Sequence, residues 1–155
     1  MRRKDRAMDE SLAVKLLEDS QLGVLCTSGA DGAPYGVPIN YCYLRDDNVI
    51  IFHCAKDGRK LENIKDNPRV SFTVMGKNRI IAERLTTYYE SVIVSGTASL
   101  VQDDEEKKLR LLDQLCRRLS PEIEWRSDRD CIHLARTMIV RIDIDSISGK
   151  KNGEA

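Results

Sequence analysis

The sequence lacks an excess of charge of either sign. Its 155 residues include 25 basic and 25 acidic side chains, so the formal net charge is zero. Proteins that attract nucleic acids or anionic membrane surfaces usually carry a basic excess. We therefore expect neither nucleic acid nor a membrane as a partner, and any site for an anion must be local.

The sequence also lacks the signals of a membrane span, a secreted protein and a zinc site. No run approaches the about 20 apolar residues that a transmembrane helix needs. No apolar segment follows the basic residues at positions 2–6, so these are not expected to form a signal peptide. The five cysteines are odd in number, form no CxxC pair and complete no zinc pattern with histidine. We expect reduced cysteines in a cytoplasmic protein without a bound metal.

Neither a glycine-rich dinucleotide motif nor a P-loop is present, and strands do not alternate regularly with helices. Apolar runs between turn signals instead predict about six strands and three helices. The predicted strands span 22–27, 35–43, 49–53, 69–74, 88–101 and 138–144, and the predicted helices span 10–19, 60–66 and 104–119. This pattern predicts a mainly β (α+β) fold, an antiparallel barrel or sandwich with flanking helices.

Several local signals refine this prediction of a single domain over residues 1–155. Asp31-Gly32 predicts a hairpin turn, and Pro38 predicts an edge strand or a bulge. Gly96 predicts a bend or bulge, and the Asn67-Pro68 step ends the second helix. We expect a helical arm at 1–20, a helical excursion at 103–135 and a polar tail at 146–155, frayed from Ser148 onward.

Two cations follow a glycine where the short second helix begins, in the segment Asp57-Gly58-Arg59-Lys60. The helix dipole disfavours cations at this end, which raises the question of whether an anion is bound there. First-turn N–H groups lack intrahelical acceptors and suit an anion, and Gly58 gives a ligand access to the backbone. Arg59 can bind a phosphate through two hydrogen bonds, and Lys60 adds a point charge. The alternative is an ordinary solvated turn.

The wider context of this step, "GRKLENIKDNPRVSFTV", resembles the FMN-binding split-barrel family, the relatives of pyridoxamine 5′-phosphate oxidase. "GAPYGVPINYCY" and "FHCA" resemble the strands beside the flavin in that family. Together with "MRRKDR", "GVLCT" and "YESVIVSGTA" they resemble its 5-nitroimidazole resistance (Nim) branch. The end, "VRIDIDSISGKKNGEA", lacks the oxidase's arginine and tryptophan pattern, and Trp125 stands in a different context. Pyridoxamine phosphate oxidation itself is therefore not expected.

The resemblance implies a six-stranded antiparallel split β-barrel homodimer with FMN at the subunit interface; FAD and haem are the alternative cofactors. It implies an oxidoreductase that passes electrons from a nicotinamide or other reductant to nitroaromatic or other small electrophiles. One alternative is a flavin or haem carrier, scavenger or sensor without turnover. Another is a structural dimer whose pocket has lost its cofactor.

The resemblance also implies the residues that bind the cofactor. Residues 58–60 would hold the phosphate, 37–40 would line the isoalloxazine ring, 52–54 would lie beside the ribityl chain, and 89–91 would approach the interface. The implied set is Val37, Pro38, Ile39, Asn40, Phe52, His53, Cys54, Gly58, Arg59, Lys60, Tyr89, Glu90 and Ser91. His53 is the predicted catalytic proton donor. Its alternative roles are a haem ligand and a packed histidine that bonds a carbonyl.

Overall fold

The computed structural model describes residues 3–102, 104–122 and 134–153. The predicted excursion at 103–135 therefore lies partly outside the described residues, as does Trp125. The strands are β1 (Leu22–Ser28), β2 (Pro34–Asn40), β3 (Cys42–Leu44), β4 (Val49–Ala55), β5 (Arg69–Ile81), β6 (Thr86–Val101) and β7 (Thr137–Asn152). The helices are α1 (Glu10–Asp19), α2 (Arg59–Asp66) and α3 (Glu105–Leu119), with 3₁₀ turns at Lys4–Arg6, Ala82–Arg84 and Leu134–Arg136.

The strands form one antiparallel sheet in the order β2-β1-β5-β6-β7-β4-β3. Because β2 and β3 are consecutive parts of one segment that breaks at Tyr41, the two ends of this order meet and the sheet closes into a barrel. The Tyr41 N–H donates to the Gln21 carbonyl at 3.1 Å, and its phenol donates to the Leu17 carbonyl at 2.6 Å. The mainly β prediction is confirmed, but the predicted strand 35–43 is two strands, which gives seven rather than six.

The turn between β1 and β2 has the predicted chemistry. The Asp31 carboxylate accepts a hydrogen bond from the Ala33 N–H at 2.9 Å, and Gly32 has φ of 72°, a conformation that favours glycine. Pro38 lies on β2, which is an edge strand in the sheet order, so its missing N–H breaks no central ladder. Both sequence predictions are confirmed.

Gly96 lies at an irregularity in the pairing of β6 with β7. The register shifts between Ser95 and Gly96, as predicted. A Cβ atom on Gly96 would lie 2.4 Å from the Asp143 carbonyl oxygen, so the close approach of the two strands requires glycine.

The core has two parts on opposite faces of the sheet. The barrel interior holds fully buried side chains that alternate along the strands. They include Leu25, Ile50, Phe52, Phe72, Val74, Val92, Val94, Val140 and Ile142. A second cluster packs α3 onto the outside of β3, β4 and β7 through Cys42, Val49, Ile51, Leu111, Leu112, Leu115 and Ile139. Each such large side chain contributes about 1.5–3 kcal/mol on burial, so α3 stabilises the outer face of β4.

Two strands are longer than the sequence predicts. β5 continues past Val74 to Ile81 through an irregularity between Met75 and Asn78. β7 continues to Asn152, and its residues 146–152 pair with residues 89–95 of β6. The prediction of a frayed tail from Ser148 is therefore wrong. Residues 146–152 carry many polar side chains on the solvent face of the sheet, and this polar composition is the same as that of a disordered tail.

None of the helices in the described ranges is both long and apolar enough to cross a bilayer.

Candidate functional site

Helix α2 begins at Arg59, directly after Gly58, so both predicted cations lie in its first turn. Gly58 has φ of 132°, which favours glycine, and a Cβ atom there would meet nothing within 4 Å. No side chain caps this helix end. The N–H groups of Arg59 and Lys60 have no intrahelical acceptor, and the space above them is open to a ligand. This geometry suits an anion.

The two cations have different surroundings. The Arg59 guanidinium is exposed and lies 4.9 Å from the centroid of the Tyr35 ring on β2, a cation–π contact. Lys60 is half-buried and lies near Cys54 on β4: burial raises the pKa of the Cys54 thiol, and the Lys60 charge partly offsets this rise. Among the described residues, neither cation forms an ion pair with a carboxylate. Two cations without an acidic partner leave the first turn of α2 electropositive.

Two asparagines hold α2 against β1. The buried Asn63 amide donates to the hydroxyl of buried Thr27 at 2.9 Å, and the Asn67 amide donates to the Ser28 hydroxyl at 3.0 Å. A Cβ atom on Gly29 would lie 2.8 Å from the side-chain Oδ1 of Asn63, so the loop after β1 fits closely around this amide. These contacts fix the direction in which the first turn of α2 points.

Sequence reasoning missed two residues that position the cations. Tyr35 lies two residues before Val37, on the same face of β2, and this spacing was the available signal. Asn63 lies between Leu61 and Ile64 on the buried face of α2. A polar residue on an apolar helix face needs a hydrogen-bond partner, and that requirement was its signal.

The four predicted residues of β2 point to two different faces. Val37 and Ile39 are half-buried and pack against the barrel core, whereas Pro38 and Asn40 are exposed. The Asn40 amide donates to the Gln21 carbonyl at 3.1 Å. Because side chains alternate along a strand, a flat ligand on one face contacts only two of these side chains and meets the other two residues through the main chain.

The three predicted residues of β4 are divided in the same way. Phe52 is fully buried in the barrel core, so only its main chain is open to a ligand. Cys54 is half-buried and also packs against that core, whereas the side chain of His53 is exposed on the opposite face. Although His53 is exposed at the surface, neighbouring groups partly desolvate its imidazole and lower its pKa, which favours the neutral form. A neutral imidazole offers one donor and one acceptor.

The predicted residues of β6, Tyr89, Glu90 and Ser91, lie far from α2 in a single chain. Gly36, next to Tyr35 on β2, pairs with Cys26 of β1. Cys26 pairs with Ser71 of β5, and Ser71 pairs with Ser95 of β6, so the Tyr35 end of β2 is level with Ser95. Tyr89 is six residues further along β6, which is about 20 Å at about 3.3 Å per residue. One chain therefore does not bring residues 89–91 to residues 58–60.

Several cavities lie on the outside of the barrel, and one of 200 Å³ beside α1 is lined by the predicted site residue Glu90. One of 370 Å³ between α1, β3 and β7 contains none of the predicted site residues. Its lining includes Glu10, Tyr43, Arg45, Asn48 and Asp145. Another of 330 Å³ is lined by Ser91, Ile93, Ser148 and Lys150, so it includes one predicted site residue.

The closed antiparallel sheet with helices packed outside it is a split-barrel fold, and solved structures with this fold cover nearly the whole chain. The chain belongs to the pyridoxamine 5′-phosphate oxidase family, whose sequence profile matches residues 9–151. A pyridoxamine 5′-phosphate oxidase homolog from Saccharomyces cerevisiae is 27% identical over 112 residues, which cover 66% of this chain and 55% of the yeast protein. The chain thus spans about half the length of this curated relative.

Solved structures show how widely this fold is used. An FAD-binding protein from Mesorhizobium loti is 27% identical, with a TM-score of 0.73 and coverage of 96% of this chain and 98% of the other. A protein from Bacteroides thetaiotaomicron assigned to 5-nitroimidazole antibiotic resistance is 19% identical, with a TM-score of 0.76 and coverage of 93% of this chain and 85% of the other. An FAD and heme binding protein from Mycobacterium smegmatis is 19% identical, with a TM-score of 0.78 and coverage of 97% of this chain and 75% of the other. At 19% identity the likeness shows the fold alone.

Proposed function

We propose that this chain is a cytoplasmic FMN-binding oxidoreductase that acts as a homodimer on a small electrophile. The observation that carries the proposal is the start of α2. There, an open glycine at φ of 132° precedes two cations that have no carboxylate partner among the described residues. Membership of the family and the fold likeness to an FAD-binding protein over nearly the full length of both chains support the flavin.

The chain's own residues fit the parts of a flavin nucleotide. Arg59 and Lys60 would hold the phosphate together with the first N–H groups of α2, and Gly58 would let it approach the backbone. The exposed strand β2 would orient the ring, partly through main-chain groups. A bound flavin supplies the electron transfer, while the protein positions it and adjusts its electronics. FAD would use the same phosphate contacts.

His53 would supply the proton. Reduction of a nitro group consumes protons as well as electrons, and the exposed imidazole is a donor open to a bound substrate. Because partial desolvation lowers its pKa, only a small fraction of His53 is protonated at neutral pH. Activity that depends on this proton should rise as the pH falls. The fold shared with a protein assigned to 5-nitroimidazole resistance supports nitroaromatics as the substrate class.

A second copy of the chain completes the proposed site. Within one chain, residues 89–91 lie about 20 Å along the strands from the level of Tyr35, which contacts Arg59, so a single ligand would reach residues 58–60 and 89–91 only across two chains. The outer face of β5 and β6 also exposes apolar side chains, with Met75 at 71% and Ile93 at 47%. Exposed apolar surface of this kind often marks an interface.

The cations at α2 provide the direct test. Each hydrogen bond to a charged group contributes about 1.5–3 kcal/mol, so Arg59→Ala with Lys60→Ala should weaken FMN binding by about 10²–10⁴-fold. Lys65→Ala is the matched control, since Lys65 is an exposed cation in the last turn of the same helix. Flavin fluorescence quenching measures the affinities. A protein without flavin absorbance, both as purified and after FMN is added, would refute the proposal.

A haem or flavin carrier without turnover is the second candidate. The exposed His53 imidazole and the fold shared with an FAD and heme binding protein favour it. A Soret band that disappears in His53→Ala would identify a haem carrier. Rapid flavin reduction by NADH or NADPH, followed by reoxidation by a nitroaromatic compound, would identify the enzyme instead.

A further inference from the structure

Strand β7 has an open edge between two segments that contact it on the same side. The last contact on the β4 side is the Ile144 N–H, which donates to the Asn48 carbonyl at 3.4 Å. Further along β7, the Met8 N–H donates to the Gly149 carbonyl at 3.1 Å. Residues 145–148 lie between these two contacts, and no strand in the described part of the chain pairs with them on this side.

The main-chain groups of Ile147 face this open edge. In an antiparallel strand, the N–H and C=O groups of every second residue point to the same side. The Gly149 carbonyl points to the open edge, since it accepts from Met8, and Ile147 is two residues earlier. Among the described residues, none bonds the Ile147 N–H or C=O on this side. One donor and one acceptor are therefore available to an extended chain.

Two cavities lie along this edge, between β7 and α1. Their volumes are 370 Å³ and 430 Å³. Both are lined by Glu10, Ser146 and Ile147, so they join into one groove, which we call the α1–β7 groove. Each volume is within the range of small-ligand sites, which is about 300–1,000 Å³.

The groove has charges of opposite sign at its two ends. Glu10 lies in the first turn of α1, close to Met8, and it forms no ion pair with a described residue. Arg45 also lines the groove, and its Nη1 is 3.4 Å from the Glu18 carboxylate, which leaves most of its N–H donors available. Glu18 is about two turns beyond Glu10 on α1, so the two ends are about 12 Å apart along the helix.

This separation selects the length of a ligand that carries both charges. An extended peptide of three residues spans about 10 Å at about 3.3 Å per residue, so its termini can reach both ends of the groove. A single amino acid, whose ammonium and carboxylate are on the same carbon, is too short to do so.

We propose that the α1–β7 groove binds a short peptide of about three residues with free termini. The peptide ammonium contacts Glu10, the carboxylate contacts Arg45, and the central residue pairs with the N–H and C=O of Ile147. This orientation is antiparallel to β7, as is every strand pairing of the sheet. The groove lies at the edge of β7, away from the outer face of β5 and β6, so the proposal does not depend on flavin binding.

A nuclear magnetic resonance titration of the full chain with trialanine tests this site. We expect a saturable shift of the Ile147 amide resonance. Glu10→Gln and Arg45→Ala should each weaken binding by about 2- to 5-fold, as expected for exposed ion pairs. Glu106→Gln and Arg110→Ala are the matched controls, because both residues are exposed on α3, and they should leave the affinity unchanged.

Modified peptides test the main-chain pairing without changing the protein. Trialanine methylated on its central nitrogen lacks the donor that Ile147 would accept from, so it should bind about 2- to 10-fold more weakly. N-acetyl-trialanine lacks the ammonium and should also bind more weakly. With that peptide, Glu10→Gln should have no further effect, because the two changes remove the same contact.

Three results would overturn the proposal. One is the absence of a saturable shift at Ile147, and another is an equal affinity for trialanine in Arg45→Ala and Arg110→Ala. The third is alanine binding as tightly as trialanine, which would show that the ligand does not span the groove. Absence of flavin would refute the proposed function without affecting these titrations.

Discussion

Replacing Asn63 by alanine removes one buried hydrogen bond that holds α2 against β1. The Asn63 and Thr27 side chains are 6% and 4% exposed, and the bond between them is 2.9 Å long. A buried polar group that loses its partner costs about 1–3 kcal/mol. At about 2–4 °C per kcal/mol for a chain of this size, a loss of about 2 kcal/mol lowers Tm by about 4–8 °C. Since α2 carries Arg59 and Lys60, FMN affinity should fall as well.

A double-mutant cycle separates the hydrogen bond from the packing around it. Asn63→Ala, Thr27→Val and the double variant are unfolded in urea and followed by circular dichroism. The two substitutions should couple by about 1 kcal/mol, because each removes the same bond. Glu62→Ala, at an exposed position of the same helix, should change stability little. Effects that add within about 0.5 kcal/mol would show that the bond does not stabilise the fold.

Gly96→Ala should destabilise the fold by about 1–3 kcal/mol, because its Cβ would lie 2.4 Å from a carbonyl oxygen of β7. Gly36→Ala, where the nearest atom is 3.6 Å away, should be nearly neutral in the same urea titration, and equal losses would contradict the steric reason. His53 has a folded pKa below its unfolded value of about 6.5, so the unfolded chain binds its proton first and stability falls as the pH drops below about 6.5. In His53→Gln the urea midpoint should fall less over this range; parallel pH profiles would contradict this.

Features of the fold set by neighbouring residues could be predicted from the sequence. The Asp31-Gly32 turn depends on a side chain that bonds a backbone N–H two residues later. The end of α2 before Pro68 depends on a steric clash with the preceding residue. The bulge at Gly96 follows from a glycine within a β-rich run.

Features set by distant pairing could not be predicted in the same way. β7 extends to Asn152 because its backbone pairs with β6, and the polar side chains of that segment carry no sign of a partner strand. The break at Tyr41 arises because one segment pairs with β1 before it and with β4 after it. Strand pairing over such separations depends on the whole sheet rather than on local propensity.

The candidate site was predictable to the same extent. Gly58, Arg59 and Lys60 were found because the glycine, the cations and the helix start are adjacent in sequence. The contacts of Tyr35 with Arg59, and of Thr27 with Asn63, join residues that are far apart in the chain. The predicted β6 residues were grouped with α2 by resemblance, and the register of the single chain separates them.

The pairing of β4 with β7 has a consequence for biosynthesis. Val49 pairs with Asp143, so β4 cannot form this pairing until the ribosome has synthesised β7, roughly ninety residues later. Until then, the apolar residues of β4 lack their neighbour strand, and a nascent chain that stalls before β7 would present them to chaperones or to other chains.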